Sequence, residues 1–175
     1  METQRLLLRN FKADDASAIQ ELAGDVEIAR NTFVPHPYEA GMAKQFIEQS
    51  RVKTESGEWA NFAIVLKDKD ILIGSIGYKD IDNKHSRAEF GYWIGKPYRG
   101  RGYATEAVEQ LIHFGFNNIG LHRVYATPFG SNIASRRVLE KAGMKREGTL
   151  KDHIYHFEEF HDLVFYGLTI DDYES

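Results

Sequence analysis

Apolar and polar positions follow two different patterns along the chain, and the switches between them set out its elements. Residues 5–11 alternate imperfectly and predict a first strand. Ala13-Asp14-Asp15 then opens a stripe of Ala16, Ile19, Leu22 and Ala23, spaced as one face of a helix running to Gly24. The stretch from Asp25 to Tyr38 holds Pro35-His36-Pro37, which cannot sit in a continuous helix, so it is expected as a loop joining two helices, of the kind that walls a binding cleft. Ala43, Phe46 and Ile47 share one stripe of the second helix, over about Glu39–Lys53. From residue 61 the character changes. Residues 61–66, 71–78 and 88–94 are short β-rich runs separated by Lys, Asp and Asn turns, and predict an antiparallel meander. Helical spacing returns from Gly102 to Asn118 through Ala104, Ala107, Val108, Leu111 and Ile112. His122 to Thr127 reads as a strand, Asn132 to Ala142 as a shorter helix closed by Gly143, and residues 144–152 and 160–170 as two last strands. The order βααβββαβαββ predicts one α+β domain over residues 1–175, with a mixed, mostly antiparallel twisted sheet of about seven strands and four helices.

Composition narrows the function classes more than the fold. The chain of 175 residues is long enough for a sizeable core without disulfide or metal staples. It has no cysteine, which excludes thiolate metal sites and cysteine nucleophiles together. A net charge of -4 leaves no whole-molecule footprint of a nucleic-acid binder. The only apolar run near the start is Leu6-Leu7-Leu8, too short for a signal peptide, and no later stretch approaches a membrane span. A cytoplasmic protein with neither nucleic acid nor membrane as partner is expected.

The most informative segment is Gly95-Lys96-Pro97-Tyr98-Arg99-Gly100-Arg101-Gly102-Tyr103-Ala104, between a strand and the long helix. Pro97 ends the strand, the glycines permit backbone closed to other residues, and a helix start offers free N–H groups at the positive end of its dipole. Such a turn is an anion site, and Arg99 and Arg101 add charge beside it. It is neither of the familiar nucleotide loops. A Walker loop would need Lys followed by Ser or Thr where Lys96 is followed by Pro97, and the dinucleotide pattern fails because Thr105 stands where a third glycine belongs. Taken alone, the glycines could also form a simple tight turn.

Arg99-Gly100-Arg101-Gly102-Tyr103-Ala104 matches the R/Q-x-x-G-x-G/A signature of the GCN5-related N-acetyltransferases. A second block, Asn132-Ile133-Ala134-Ser135 with Leu139-Glu140-Lys141-Ala142-Gly143-Met144, is similar to that family's N-x-x-S…L-E-K-x-G-F segment, and the chain most resembles the ribosomal-protein N-acetyltransferase-like branch. The resemblance implies an acetyl-coenzyme A-dependent N-acetyltransferase, with the pyrophosphate at Arg99, Gly100, Arg101, Gly102, Tyr103 and Ala104 and no metal. It implies that the thioester lies between the strand ending near Ile94 and the strand 122–127, against Trp93 and Ile94, where a bulge around Trp93 to Gly95 would aim an amide at the thioester carbonyl. Asn132 is implied as a further coenzyme contact. The acceptor would be a primary amine, such as the N-terminus of a ribosomal protein or a small amine.

Without cysteine, transfer has to be direct attack by the amine. Ser135 is the candidate for protonating the departing thiolate, by resemblance to this branch; Asn132, Ser135, Leu139 and Ala142 share a helical stripe facing the interior. The local alternative is that Asn132 caps the helix with Ser135 in its first turn. Glu89 is the candidate base, on a central strand where burial would favour proton uptake; the alternative is a structural ion pair with Arg87 or a helix-borne arginine. Glu147 is the second choice. Phe33, His36 and Tyr38 in the loop and His153 in the last strands are the expected acceptor-side residues, although loop aromatics also serve as packing feet. The run from His153 to His161 lacks the H-E-x-x-H spacing of a zinc helix. Glu106 and Glu109 read as solvated helix charges. The terminal strands and exposed aromatics are compatible with a homodimer. The competing function is an acyl-coenzyme A-binding module without turnover, with Ser135 and Glu89 idle.

Overall fold

The computed structural model describes residues 1–175. Seven strands form one sheet: β1 (Leu6–Arg9), β2 (Ala60–Leu66), β3 (Ile71–Asp82), β4 (Arg87–Ile94), β5 (Arg123–Ala126), β6 (Lys145–His156) and β7 (Glu159–Thr169). Their order is β1-β2-β3-β4-β5-β7-β6, antiparallel throughout except for the parallel pair β4/β5. The helices are α1 (Ala16–Ala23), α2 (Val26–Asn31), α3 (Met42–Glu55), α4 (Tyr103–Phe114), α5 (Ile133–Lys141) and α6 (Ile170–Glu174).

The class and the strand order along the chain match expectation, but there are six helices where four were expected. α2 lies in the stretch expected as loop. The prolines act only from residue 34 onward, and upstream of them Asp25 caps a short helix by accepting the Glu27 N–H at 3.0 Å. α6 is started by Thr169, whose hydroxyl accepts the Asp172 N–H at 3.3 Å. β6 runs four residues further than expected, to His156, and β7 starts at Glu159, because Phe157 and Glu158, with φ of 50° and 62°, close a tight two-residue hairpin between them.

Alternation along the strands sends apolar residues to two helical layers. On one face Ile64, Ile76, Tyr78, Phe90 and Val124 pack against Ala107, Val108, Leu111 and Ile112 of α4, all essentially buried. Each fully buried Leu, Ile or Val there stabilises by roughly 1.5–3 kcal/mol. The Tyr78 hydroxyl donates to the Leu111 carbonyl at 2.9 Å and so pins the helix to the sheet. On the other face Ala63, Val65 and Leu72 meet Ile19 and Ala23 of α1 and Ala43 of α3.

The position of the site follows from one short pairing. β4 and β5 are joined only over Arg87 to Glu89 against Arg123 to Tyr125, and then part. The sheet is therefore split from Phe90 onward, and a cleft of about 940 Å³ runs through the split to both faces.

Candidate active site

At one end of the cleft, β4 gives way to a turn over Lys96–Tyr98 and then to the start of α4. Gly100 and Gly102 have φ of +74° and +81°, values that favour glycine. The N–H groups of Gly100 to Thr105 meet no acceptor within the chain, and Gly102 caps α4 with no side chain. A Cβ at Gly100 would stand in open space. The turn is held from behind: Arg5 donates to the Arg101 carbonyl at 2.9 Å and lies over the Tyr103 ring, while Glu106 accepts from the Arg5 amide and guanidinium and from Thr3. Glu106 is thus a brace and not a solvated charge. Gly100, Gly102, Tyr103 and Ala104 line the cleft, as does Arg99. Arg101 lies outside it, with its backbone carbonyl held from behind by Arg5. Arg99 is not a free cation either: its Nε donates to the Ile94 carbonyl at 2.9 Å, and its Nη2 stands 3.5 Å from Asp25 at the head of α2.

Further in, the exposed edge of β4 supplies the polar groups. The Gly95 N–H donates to Ile73 at 2.8 Å, so by antiparallel alternation Trp93 and Gly91 also face β3, and Phe90, Tyr92 and Ile94 turn their backbone groups toward the split. The expected bulge over Trp93 to Gly95 is not there. The β3/β4 register runs unbroken from Glu89 to Ile94, and the extra residue near this level is Ile73 on β3, opposite Ile64 and Val65. Free donors at the split are accordingly the amides of Tyr92 and Ile94, not that of Gly95. The Trp93 side chain packs toward α1 and α3, and that of Ile94 is in the core.

α5 faces this edge. Asn132 caps it, its Oδ1 accepting the Ser135 N–H at 3.0 Å, and Asn132 and Ser135 both line the cleft. The Ser135 Oγ lies 2.9 Å from the Tyr92 hydroxyl. Burial pushes the Tyr92 phenol up to about 12, against a smaller opposite pull from Ser135, so it is protonated near neutrality. This hydroxyl pair joins a strand to a helix 43 residues away, and only the serine was marked by its motif.

Glu89 also lines the cleft, beside the point where the strands part. One oxygen accepts the Thr127 hydroxyl at 2.5 Å and the other is 3.3 Å from Lys79, directly across on β3. Its ion-pair partner is therefore neither Arg87 nor a helix arginine. Arg87 pairs with Asp82 instead. Glu147 stands outside the cleft in a two-oxygen pair with Arg123, whose hydrogen bond holds the carboxyl below its usual range.

The far end is walled by α2, the loop after it, α3 and the β5–α5 connection. Phe33 and Tyr38 line it. Phe33 sits edge-on to Phe129, centroids 5.4 Å apart, so it is a packing foot as well as a wall. His36 lies in a shallow side pocket with Phe33, His156 and Phe157. His153 is exposed where β6 slips register between Leu150 and Ile154, outside both pockets. The histidines that reach this wall are His156, three residues on, bonded to the Ala29 carbonyl at 2.7 Å and packed on Phe129, and His161, stacked on the same ring. No group of three or more His, Asp or Glu is placed to hold a metal. No helix is long and apolar enough to cross a membrane.

A profile of the Acetyltransferase (GNAT) domain matches residues 5–145. The uncharacterized N-acetyltransferase YnaD of Bacillus subtilis is 34% identical over 167 residues, 95% of this chain and 94% of its own. The ribosomal-protein-serine acetyltransferase of Escherichia coli is 28% identical over 123 residues, 70% of this chain and 68% of that protein. Among solved structures, the spermidine N-acetyltransferase of Vibrio cholerae in complex with CoA and spermine superposes with a TM-score of 0.86 at 21% identity, over 99% of this chain and 100% of that one, and shares the fold.

Proposed function

The chain belongs to the GNAT family of N-acetyltransferases, and from that premise we propose that it moves an acetyl group from acetyl-coenzyme A by direct attack of a primary amine, either a protein N-terminus such as that of a ribosomal protein or a small amine. The observation that carries the reading is the continuity of one cleft, from the free amides of Gly100 to Thr105, along the unpaired edge of β4, to Ser135 and Glu89. A row of unpaired N–H groups at a helix start fits a pyrophosphate, and the open space beside Gly100 leaves room for it. Bound there, the coenzyme supplies an acetyl thioester.

The protein's own groups carry the remaining work. The N–H groups of Tyr92 and Ile94 stabilise negative charge developing on the carbonyl oxygen, an effect worth roughly 10² to 10³ in rate per donor. Glu89, held by Thr127 and Lys79, takes the proton that the amine must shed, directly or through water. As the N–C bond forms and the C–S bond breaks, the electron pair leaves on sulfur and Ser135 supplies it with a proton. Asn132 keeps its side-chain N–H₂ for the coenzyme, its oxygen being spent on the helix cap. Phe33 and Tyr38 bound the acceptor.

Thiol release from acetyl-coenzyme A over a panel of peptides and small amines tests this. Acceptor-dependent release that falls in Ser135→Ala and Glu89→Gln supports it. Tight coenzyme binding with no release to any acceptor would sink it and leave a binding module, for which the full engagement of both Glu89 oxygens is the favouring observation.

A further inference from the structure

The acceptor end of the cleft continues past Glu89 into a trough between α3 and the sheet. α3 turns Met42, Gln45, Phe46 and Gln49 toward it, at i, i+3, i+4 and i+7 and hence on one helical stripe. Two of these four are amides, and both are exposed to the cleft. The opposing floor is made of Asn61, Ser75, Gly77 and Gly91. Gly77 and Gly91 are direct partners across β3 and β4, so the sheet has no side chain at either position where a helix would ordinarily pack down. Asn61 folds over Gly77, so closely that a Cβ there would come within 2.6 Å of it, while a Cβ at Gly91 would meet nothing within 4 Å. Ser75 donates to Asn61 at 3.3 Å, and Asn61 donates to Ser50 at 3.2 Å, which fixes the amide over the floor.

Charge is scarce in this part of the cleft. Its lining carries Glu27 at the rim and the Lys79–Glu89 pair, whose charges offset each other at 3.3 Å. At the far end Trp59 carries the Lys53 ammonium on its ring, 4.4 Å from the centroid. A second ammonium on an acceptor would find no free carboxylate in the trough, and at its end a lysine already paired with Glu58 at 3.8 Å. A carboxylate would find no free cation. Either charge would give up water there without a partner, whereas amides and hydroxyls would exchange water for four neutral hydrogen-bonding side chains.

Building on the acetyltransferase reading, we propose that the trough between Gln45 and Gln49 of α3 and the Asn61–Ser75–Gly91 floor is the acceptor's specificity subsite, and that it takes an uncharged, hydrogen-bonding arm, amide or hydroxyl, attached to the reacting amine. The arm lies over Gly91, its carbonyl and N–H groups meeting the Gln45 and Gln49 amides, with the amine left at Glu89. Polyamines and ω-amino acids are disfavoured acceptors.

Two readouts test this. Calorimetric titration of the coenzyme A-saturated protein compares seryl-alaninamide with cadaverine, spermidine and an ω-amino acid of similar length, and kcat/KM for acetyl transfer is measured on the same amines. The amide is expected to bind at least about tenfold more tightly than any of the charged-arm amines, and to lead in kcat/KM by a similar factor. Gln49→Glu places a carboxylate on an exposed helical position facing the trough. It is expected to raise spermidine affinity about tenfold and to lower that of the amide, with acetyl-coenzyme A affinity unchanged. Equal or better binding of the diamines by the unaltered protein, indifference to Gln49→Glu, or absence of binding by every amine overturns the subsite. A protein that ranks the amines as expected and transfers acetyl to none retains the subsite and loses the acetyltransferase reading.

Discussion

The two ends of the cleft are built from different materials. The coenzyme end is backbone: six consecutive N–H groups from Gly100 to Thr105, two glycines at positive φ, and the unpaired edge of β4. The acceptor end is side chains, drawn from α2, the loop after it, α3, β2, β3, β4 and the segment before α5. Backbone recognition demands glycine at fixed positions and tolerates little else, so it leaves a compact trace in the sequence. Side-chain recognition can be met by many residue types brought from distant segments, so it leaves none. The same division separates a ligand common to a family from one that each member selects for itself.

Substitutions that act on one end alone sharpen this comparison. The largest effect is expected from Gly100→Val. A β-branched residue at φ +74° is strained, and its side chain would enter the space in front of the free amides. The KM for acetyl-coenzyme A should rise about 100-fold or more, with the acceptor KM unchanged, as steady-state kinetics with each substrate varied in turn would report. Equal damage to both KM values would break the comparison, because the two ends would then be one mechanical unit. The Arg99 link from the Ile94 carbonyl to Asp25 at the head of α2 is one bridge through which that could happen. Ser135→Ala comes next. Loss of a proton donor that acts only as the C–S bond breaks should lower kcat by about 10² with both KM values retained.

What could be read from the chain follows the same division. The turn after β4, the cap at Asn132 and the serine at 135 were legible, because each is a short motif whose residue types answer local backbone needs. The strand order was legible from alternation and turn residues. Three features were hidden for identifiable reasons. α2 sits in a stretch where the prolines dominate the reading, although they constrain nothing before residue 34. The exposed site of His153 and the reach of His156 depend on a register slip on β6 that no periodicity shows. Arg101 shares a motif with Arg99, yet lies outside the cleft, where Arg5, far away in sequence, holds its carbonyl. Long-range hydrogen bonds also decided the partners of Glu89 and Tyr92, and spacing along one strand cannot report the neighbour across it.

Tyr92 tests the seam where backbone and side-chain recognition meet, since its amide faces the split while its hydroxyl lies 2.9 Å from Ser135. Tyr92→Phe keeps the ring and the amide and removes the hydroxyl. If the phenol orients Ser135 by donating to its oxygen, which frees the serine proton for the cleft, kcat should fall about tenfold with both KM values unchanged. Because the phenol is pushed up to about 12, the alkaline limb of the pH–rate profile should keep its position in the variant. A shifted limb would mean that Tyr92 titrates during turnover and is more than an orienting group.

The smallest effect is expected behind the coenzyme turn. Burial works to raise the Glu106 carboxyl, and bonds from Thr3 and from the amide and guanidinium of Arg5 overcome it, so the net shift is downward. A carboxyl whose folded value is depressed contributes stability that is fully present above its unfolded value near 4.3 and is lost as pH falls through the folded value. Glu106→Gln should therefore cost about 1 kcal/mol at pH 7, or roughly 2–4 °C in Tm for a chain of this size, the part-exposed Arg5 being screened by solvent. In melts taken at successively lower pH the gap between the two proteins should close below about pH 4. If Glu106→Gln also raises the KM for acetyl-coenzyme A, the brace sets the aim of the free amides as well as the stability of the turn, and the coenzyme end is then not made of backbone alone.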